Sequence, residues 1–208
     1  MIGAYKHYKM GNLQIKSAIY FALPSVLSLL FIRKIVLPRI PSHLFSIGEF
    51  VMTRNILIMV VFALLMIAAS VSMIRKSEEP ENVKSTNYIH LSLIGFGVGF
   101  ITGFLGAGGG FLIIPALIFL AGLPMKQAVG TSLLIIFINS AIGFGGDLLG
   151  HPSLDYRLLF SVTAIAILGM LIGTALSKKI DGAKLKPLFG WLVLCMGIYI
   201  ILKEFVLK

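Results

Sequence analysis

The chain is a succession of long apolar runs separated by short, mostly basic segments. A helix that crosses the roughly 30 Å apolar core of a bilayer needs about 20 predominantly apolar residues. Five runs approach or reach that length, and one longer stretch is interrupted by glycines. The runs are Ser17–Ile32, Ile56–Ile74, Ile89–Leu123, Thr131–Leu149, Leu158–Ser177 and Leu188–Leu202. This pattern predicts an all-α, polytopic transmembrane helical bundle.

Composition and charge support a membrane protein. Apolar residues make up 58% of the 208 residues and charged residues only 12%, whereas about 25% of a soluble domain is charged. The net charge of +10 comes from Lys and Arg between the apolar runs, where they set topology and meet anionic headgroups. We therefore expect the lipid bilayer as a partner and not nucleic acid. No polar segment is long enough for a separate domain, so residues 1–208 are predicted to form a single transmembrane domain.

The stretch Ile89–Leu123 is too long for one crossing. Its 35 residues would form a helix of roughly 52 Å, and glycines inside a helix each cost about 1 kcal/mol relative to alanine. The sequence predicts a helix broken at glycine, either re-entrant or discontinuous. That places the loops Arg33–Asn55 and Lys178–Pro187 on opposite faces. Both loops are basic and the positive-inside rule would place both in the cytoplasm, but we favour the length argument.

A weak internal repeat relates the start of the chain to a segment 141 residues later. The match pairs Ile2-Gly3 with Ile142-Gly143 and, after one inserted residue, Leu13 with Leu154 and Lys16 with Arg157. Duplicated transporter folds show this kind of symmetry. We predict two repeats, a partial first repeat over residues 1–88 and a second repeat, with the broken helix, over residues 89–208. The offset implies that the first repeat should begin roughly 50 residues before Met1.

The glycine run is the strongest candidate for a substrate site. Irregular backbone at membrane depth is tolerated only where it lines a cavity or is buried in protein. Free amides at the start of a half-helix from Phe111 would attract an anion without a dedicated cation. The candidate residues in this loop are Gly106, Gly108, Gly109 and Gly110. By contrast, Gly95, Gly99 and Gly103 have the four-residue spacing that favours close helix packing.

Three polar residues after the glycine run are further candidates. Thr131 and Ser132 follow Gly130 and are either N-cap residues of the next helix or hydroxyl donors in the same cavity. Asn139, with Ser140 beside it, lies about two turns further along. It forms either an interhelical hydrogen bond, the interpretation we favour, or part of the substrate site.

The sequence lacks the motifs of an enzyme or metalloprotein. The four histidines have no metal-ligand spacing, and neither a Ser/His/Asp set nor HExxH is present. A nucleotide P-loop would need Gly-Lys-Ser/Thr after the glycines, which is missing. We expect no catalysis, no metal and no cofactor, and any coupling would come from an ion or the membrane potential.

The run from Gly99 to Gly110, with Pro115, Gly122 and the segment Ala128-Val129-Gly130-Thr131-Ser132-Leu133, resembles the signature of the sulfite exporter TauE/SafE family of bacterial membrane transporters. That family has two glycine-rich copies, of which this sequence shows the second. The resemblance implies a multi-pass permease of the bacterial inner membrane that exports sulfur-containing or organic anions. It also implies that Gly106, Gly108, Gly109, Gly110, Thr131 and Ser132 line the substrate site.

Two functions therefore compete. The first is a secondary transporter for a small anion, alone or as a homo-oligomer, with the glycine loop as half of a cavity between the repeats. The second is a membrane subunit that transports nothing until a partner chain completes its site. An intramembrane enzyme is the least favoured alternative, because no paired acid–base or metal groups are present.

Overall fold

The computed structural model describes residues 2–41, 43–47, 50–75, 87–105, 110–150 and 155–205. Within them the chain folds as a helical bundle with one small hairpin. The helices are α1 (Ile2–Lys9), α2 (Ile15–Phe31), α3 (Arg54–Ile74), α4 (Tyr88–Leu105), α5 (Gly110–Phe119), α6 (Met125–Gly150), α7 (Tyr156–Lys179) and α8 (Gly182–Phe205). Two strands, β1 (His43–Ile47) and β2 (Phe50–Thr53), pair antiparallel between α2 and α3.

Five helices in the described part of the chain are long and apolar enough to cross a membrane. They begin at Ile15, Arg54, Met125, Tyr156 and Gly182, and two shorter apolar helices, Tyr88–Phe104 and Gly110–Phe119, accompany them. This confirms the predicted all-α transmembrane bundle. Two of the later helices begin earlier than the apolar runs do, α6 at Met125 and α8 at Gly182, because their first turns carry lysines that hydropathy assigns to loops.

The segment predicted as a plain polar loop between α2 and α3 is largely ordered. It contains a π-helical turn (Ile32–Val36), a 3-10 turn (Leu37–Arg39) and the hairpin. Arg54 Nη1 donates hydrogen bonds to the carbonyl oxygens of Leu37, at 2.8 Å, and Ile40, at 3.1 Å. Thr53 caps α3 by accepting from the amide of Ile56. The connection is therefore tied to the start of α3.

Helix α4 packs with its backbone against α2. A Cβ atom on Gly95 would overlap the carbonyl oxygen of Phe21, and one on Gly99 would overlap that of Ser25; one on Gly103 would lie 2.7 Å from Ile32 Cβ. The predicted packing role of the three glycines is confirmed. The contacts advance in the same direction along both helices, so α4 runs parallel to α2.

Helix α5 is deeply buried, with Leu112 to Ile118 all inside the bundle. Gly110, its first residue, lies against Ile136 of α6, and Lys186 Nζ lies 5.3 Å from the ring centroid of Phe119 at its other end. Because only residues 120–124 connect the end of α5 to the start of α6, whereas Gly110 lies against Ile136, α5 runs antiparallel to α6. Its end and the start of α4 lie toward the same end of the bundle, which we call the lysine-rich end and define by Lys126, Lys179 and Lys184.

Contacts elsewhere extend this arrangement. Helix α8 runs antiparallel to α3, because Gly190 lies against Met73 whereas Gly197 lies against the Ala63 carbonyl. The connection between α2 and α3 therefore lies at the end opposite to the one between α7 and α8. The predicted break between α4 and α5 concerns residues 106–109, outside the described residues, and stays a prediction.

The two-repeat organisation also stays a prediction. Helices α2 and α7 begin 141 residues apart, at Ile15 and Tyr156, which is the offset of the sequence match. Their surroundings differ, however. Half of the most apolar part of the span Ile15–Arg39, which contains α2, is buried, but only 6% of that of the span Tyr156–Ser177 in α7.

Alanine at Gly99 is expected to destabilise the protein by about 1–3 kcal/mol, because its Cβ would overlap the α2 backbone at Ser25. Alanine at Gly97 is the matched control. No atom lies within 4 Å of the position that its methyl group would take, so the better helix propensity of alanine should leave stability unchanged or raised by up to about 1 kcal/mol. Thermal unfolding in detergent measures both variants, and equal melting temperatures would contradict the packing described here.

Candidate functional site

Helix α6 carries three buried polar side chains toward the interior of the bundle. Thr131, Ser132 and Asn139 are all at most 4% exposed. Asn139 follows Thr131 by eight residues, or about 12 Å along the helix axis. The predicted site residues on α6 therefore lie at two levels of the bundle.

The lower level, which we call the Gln14 cluster, joins the start of α2 to α6. The backbone amide of Gln14 donates to Thr131 Oγ1, at 3.3 Å, and its side-chain Nε2 donates to Gln127 Oε1, at 2.8 Å. Ser17 Oγ donates to Gln14 Oε1 at 2.8 Å. Gly130 permits this contact, because a Cβ there would overlap the carbonyl oxygen of Asn12. Thr131 thus holds the first residues of α2.

The N-cap interpretation of Thr131 and Ser132 is wrong. Helix α6 begins at Met125, so both residues lie about two turns inside it. Ser132 Oγ donates to the carbonyl oxygen of Val129 in its own helix, at 2.8 Å. Gly130 marks a close contact with the chain before α2 and not the beginning of a helix.

The upper level, which we call the midplane cluster, consists of Ser25 and Ser28 of α2, Asn139 of α6 and the first residue of α5, Gly110. Asn139 Nδ2 donates to Ser25 Oγ at 3.2 Å, so the interhelical hydrogen bond predicted for Asn139 is present. Asn139 Oδ1 and Ser28 Oγ are buried without a hydrogen-bond partner. A buried polar atom left unpaired costs about 1–3 kcal/mol, so this level has unused capacity to bind a polar guest.

The start of α5 adds a favourable electrostatic field. Gly110 packs one helical turn before Asn139 along α6, against Ile136, and α5 runs antiparallel to α6. The amides of the first turn of a helix have no intrahelical acceptor and point out along its axis. Those of α5 therefore point toward the level of Asn139, with the positive end of the helix dipole. Gly106, Gly108 and Gly109 lie outside the described residues.

The chemistry of the midplane cluster is that of neutral hydrogen-bonding groups. A half-turn of the Asn139 amide lets the Ser25 hydroxyl donate to Oδ1 and frees the Nδ2 group as a donor. The Ser28 hydroxyl, one turn beyond Ser25 on α2, and the α5 amides are further donors at this level. Among the described residues, no group of three or more His, Cys, Asp or Glu side chains could hold a metal ion.

Sequence reasoning missed five residues of the two clusters. Three serines, Ser17, Ser25 and Ser28, lie within a run assigned wholly to membrane crossing, and Gln14 and Gln127 lie just outside the apolar runs. A usable signal existed in α2, because two serines three residues apart share one helix face beside Pro24. The mean hydropathy of an apolar run does not reveal single serines within it.

These features define a class of protein: a multi-pass membrane bundle with unpartnered polar groups deep in its interior, as in transporters. Comparison with known families agrees. The family model of the sulfite exporter TauE/SafE matches residues 1–200. The chain belongs to this family.

Curated relatives carry the same general description. A probable membrane transporter protein of Xylella fastidiosa (strain 9a5c) is 30% identical over 168 residues, which are 75% of this chain and 61% of that protein. The probable membrane transporter protein YunE of Bacillus subtilis is 27% identical over 77% of this chain and 62% of its own length. The chain thus spans about three fifths of these relatives. No solved structure gives a significant match.

Valine at Thr131 is expected to remove the acceptor of the Gln14 amide and to lower stability by about 1 kcal/mol. Hydrogen exchange at the Gln14 amide should accelerate in this variant. Valine at Thr163 is the control, since that exposed hydroxyl donates within its own helix, to the carbonyl oxygen of Leu159. Unchanged exchange at Gln14 in the Thr131 variant would show that the Gln14 cluster does not hold α2.

Proposed function

We propose that the protein is a secondary transporter, and not an enzyme, that exports a small sulfur-containing or organic anion across the bacterial inner membrane. The observation that carries the proposal is the midplane cluster, where the Ser28 hydroxyl has no partner and the Asn139 amide, whose Oδ1 atom is also unpaired, can turn so that its Nδ2 group becomes a free donor. A membrane protein that keeps unpaired polar atoms at this depth retains them for a substrate, since packing alone would favour apolar side chains.

The field and donors of this level favour an anion. The start of α5 presents positive partial charge, and helix N-termini bind oxyanions through their free amides. The hydroxyl of Ser28 and the amide of Asn139 are neutral, so they hold an anion without trapping it in an ion pair. A transporter needs such reversible binding, because a substrate that binds too tightly cannot leave.

The proposed substrate-binding residues extend from the glycine loop into α6. Gly106, Gly108, Gly109 and Gly110 would supply backbone amides, and Asn139 would supply a side-chain donor. Thr131, which also ties α2 to α6, and Ser132 lie about 12 Å away along α6 and would contact the anion only as it passes the lower level. The sulfite in the name of the family supports an oxyanion as substrate.

The surroundings of the protein complete the proposal. The lipid bilayer covers the exposed apolar side chains, no nucleic acid is involved, and a homo-oligomer is compatible with the exposed face of α7. No nucleotide-binding motif is present in the sequence. Transport would therefore be driven by an ion gradient or by the membrane potential.

Flux measurements on proteoliposomes test the proposal. Purified protein is reconstituted, loaded with radiolabelled sulfite, and efflux is followed with and without an imposed potential. Replacing Asn139 by Leu or Ser28 by Ala should lower flux about 10- to 100-fold, since each removes a hydrogen bond to a charged group. Ser140→Ala is the matched control, because Ser140 is the next residue of α6 and is exposed.

Thermal unfolding of the same variants separates loss of binding from loss of fold. A variant that keeps its melting temperature and loses flux supports the midplane cluster as the site. Wild-type flux in both Asn139→Leu and Ser28→Ala would refute it. A panel of other anions, including sulfoacetate, distinguishes sulfite from organic substrates through competition.

The poor burial of α7 favours a second candidate, a membrane subunit that needs a partner chain. Only 6% of the most apolar part of Tyr156–Ser177 is buried, so a wide face of this helix is open to another protein. Absence of flux from the purified chain, together with flux restored by a co-purified membrane protein, would support this alternative.

A further inference from the structure

A polar cavity lies at the lysine-rich end of the bundle. It has a volume of about 130 Å³ and is lined by His7, Met10, Asn12, Lys126, Ser177 and Leu185. The end of α1, the first turn of α6, the last turns of α7 and the start of α8 meet around it. This volume has room for several water molecules, which suits a small ion.

The walls of this cavity offer donors and positive charge. Lys126 contributes an ammonium group and Asn12 a side-chain amide, whereas none of the residues that line the cavity is acidic. Ser177 Oγ donates to the carbonyl oxygen of Thr174 at 3.1 Å. The cavity is therefore suited to an anion and unsuited to a cation.

A buried ring nitrogen of His7 that has no hydrogen-bond partner is a second observation in favour of a ligand. His7 is 4% exposed, and its Nδ1 atom is buried without a hydrogen-bond partner. Its carbonyl oxygen accepts from the amides of Met10 and Asn12, at 3.2 and 3.0 Å, which fixes the residue in place. Burial lowers the pKa of His7, which favours the neutral imidazole, and a neutral imidazole carries on one ring nitrogen a proton that it can donate.

We propose that this cavity is a binding site for a small oxyanion, held by the Lys126 ammonium, a ring N–H of His7 and the Asn12 amide. Lys126 precedes Asn139 by thirteen residues on α6, or about 20 Å, so the site is separate from the midplane cluster. The proposal does not depend on transport. It requires that the His7 ring turn its unpartnered Nδ1 atom, which has almost no exposed surface in the structure, toward an oxyanion in the cavity.

Nuclear magnetic resonance of the full chain in lipid-free detergent tests the proposal. The histidines are labelled with ¹⁵N, and the His7 signals are assigned by their loss in His7→Gln. Sodium sulfate is titrated against sodium chloride at matched ionic strength. We expect a saturable shift of the His7 ring nitrogens with sulfate, and a shift with chloride at least tenfold weaker in affinity.

Two lysine variants test whether the ammonium group of Lys126 binds the sulfate. Lys126→Met should weaken sulfate binding at least tenfold, whereas Lys179→Met, which removes an exposed lysine at the same end, should leave it unchanged. Asn139→Leu should also leave it unchanged, so failure at the midplane cluster and failure here are distinguishable. No saturable shift in the wild type, or equal binding in Lys126→Met, would overturn the proposal.

A last titration identifies the source of the oxyanion. Phosphatidylglycerol added in detergent would displace sulfate from His7 if a lipid headgroup is the natural ligand. If it does not displace sulfate, a free oxyanion is the ligand. Both outcomes support the oxyanion site and name its occupant.

Discussion

Close backbone contact between α2 and α4 is the constraint on which the rest of the bundle depends. Helices in lipid gain little from burying apolar surface against each other, so close packing of small residues takes over that role. Three glycines let α4 lie directly on the α2 backbone at Phe21, Ser25 and Ile32. Since Ser25 contacts α4 through its backbone, its hydroxyl is left to meet Asn139 of α6. One glycine stripe thereby aligns three helices.

Buried polar groups divide into two kinds with different consequences. Those of the Gln14 cluster are paired with one another and fix the start of α2 against α6. Those of the midplane cluster are only partly paired, and a partly satisfied network is costly in a medium of low dielectric constant. The Gln14 cluster thus joins two helices, whereas at the midplane cluster a bound molecule would recover free energy that the fold alone does not.

The sequence was sufficient for the bundle and for its main contact. Long apolar runs identify membrane helices because length and hydropathy decide insertion, and the spacing of Gly95, Gly99 and Gly103 identified a packing face. Helix starts were misplaced, as at Met125, because polar first turns at the membrane interface resemble loops. The pairing of Ser25 with Asn139 could not be predicted, since it depends on how two helices far apart in sequence rotate against each other. The role of the residues between α4 and α5 stays a prediction.

The shortness of α5 has an electrical consequence. Its ten residues span only about 15 Å, half of the roughly 30 Å apolar core. An anion held at its first residue would therefore lie at about half of the electrical distance across the membrane. Moving one elementary charge through the full potential is worth about 2.3 kcal/mol per 100 mV, so each half of the journey would carry about 1.2 kcal/mol. If the protein transports an anion as proposed, the fold would divide the work of charge movement into two comparable steps.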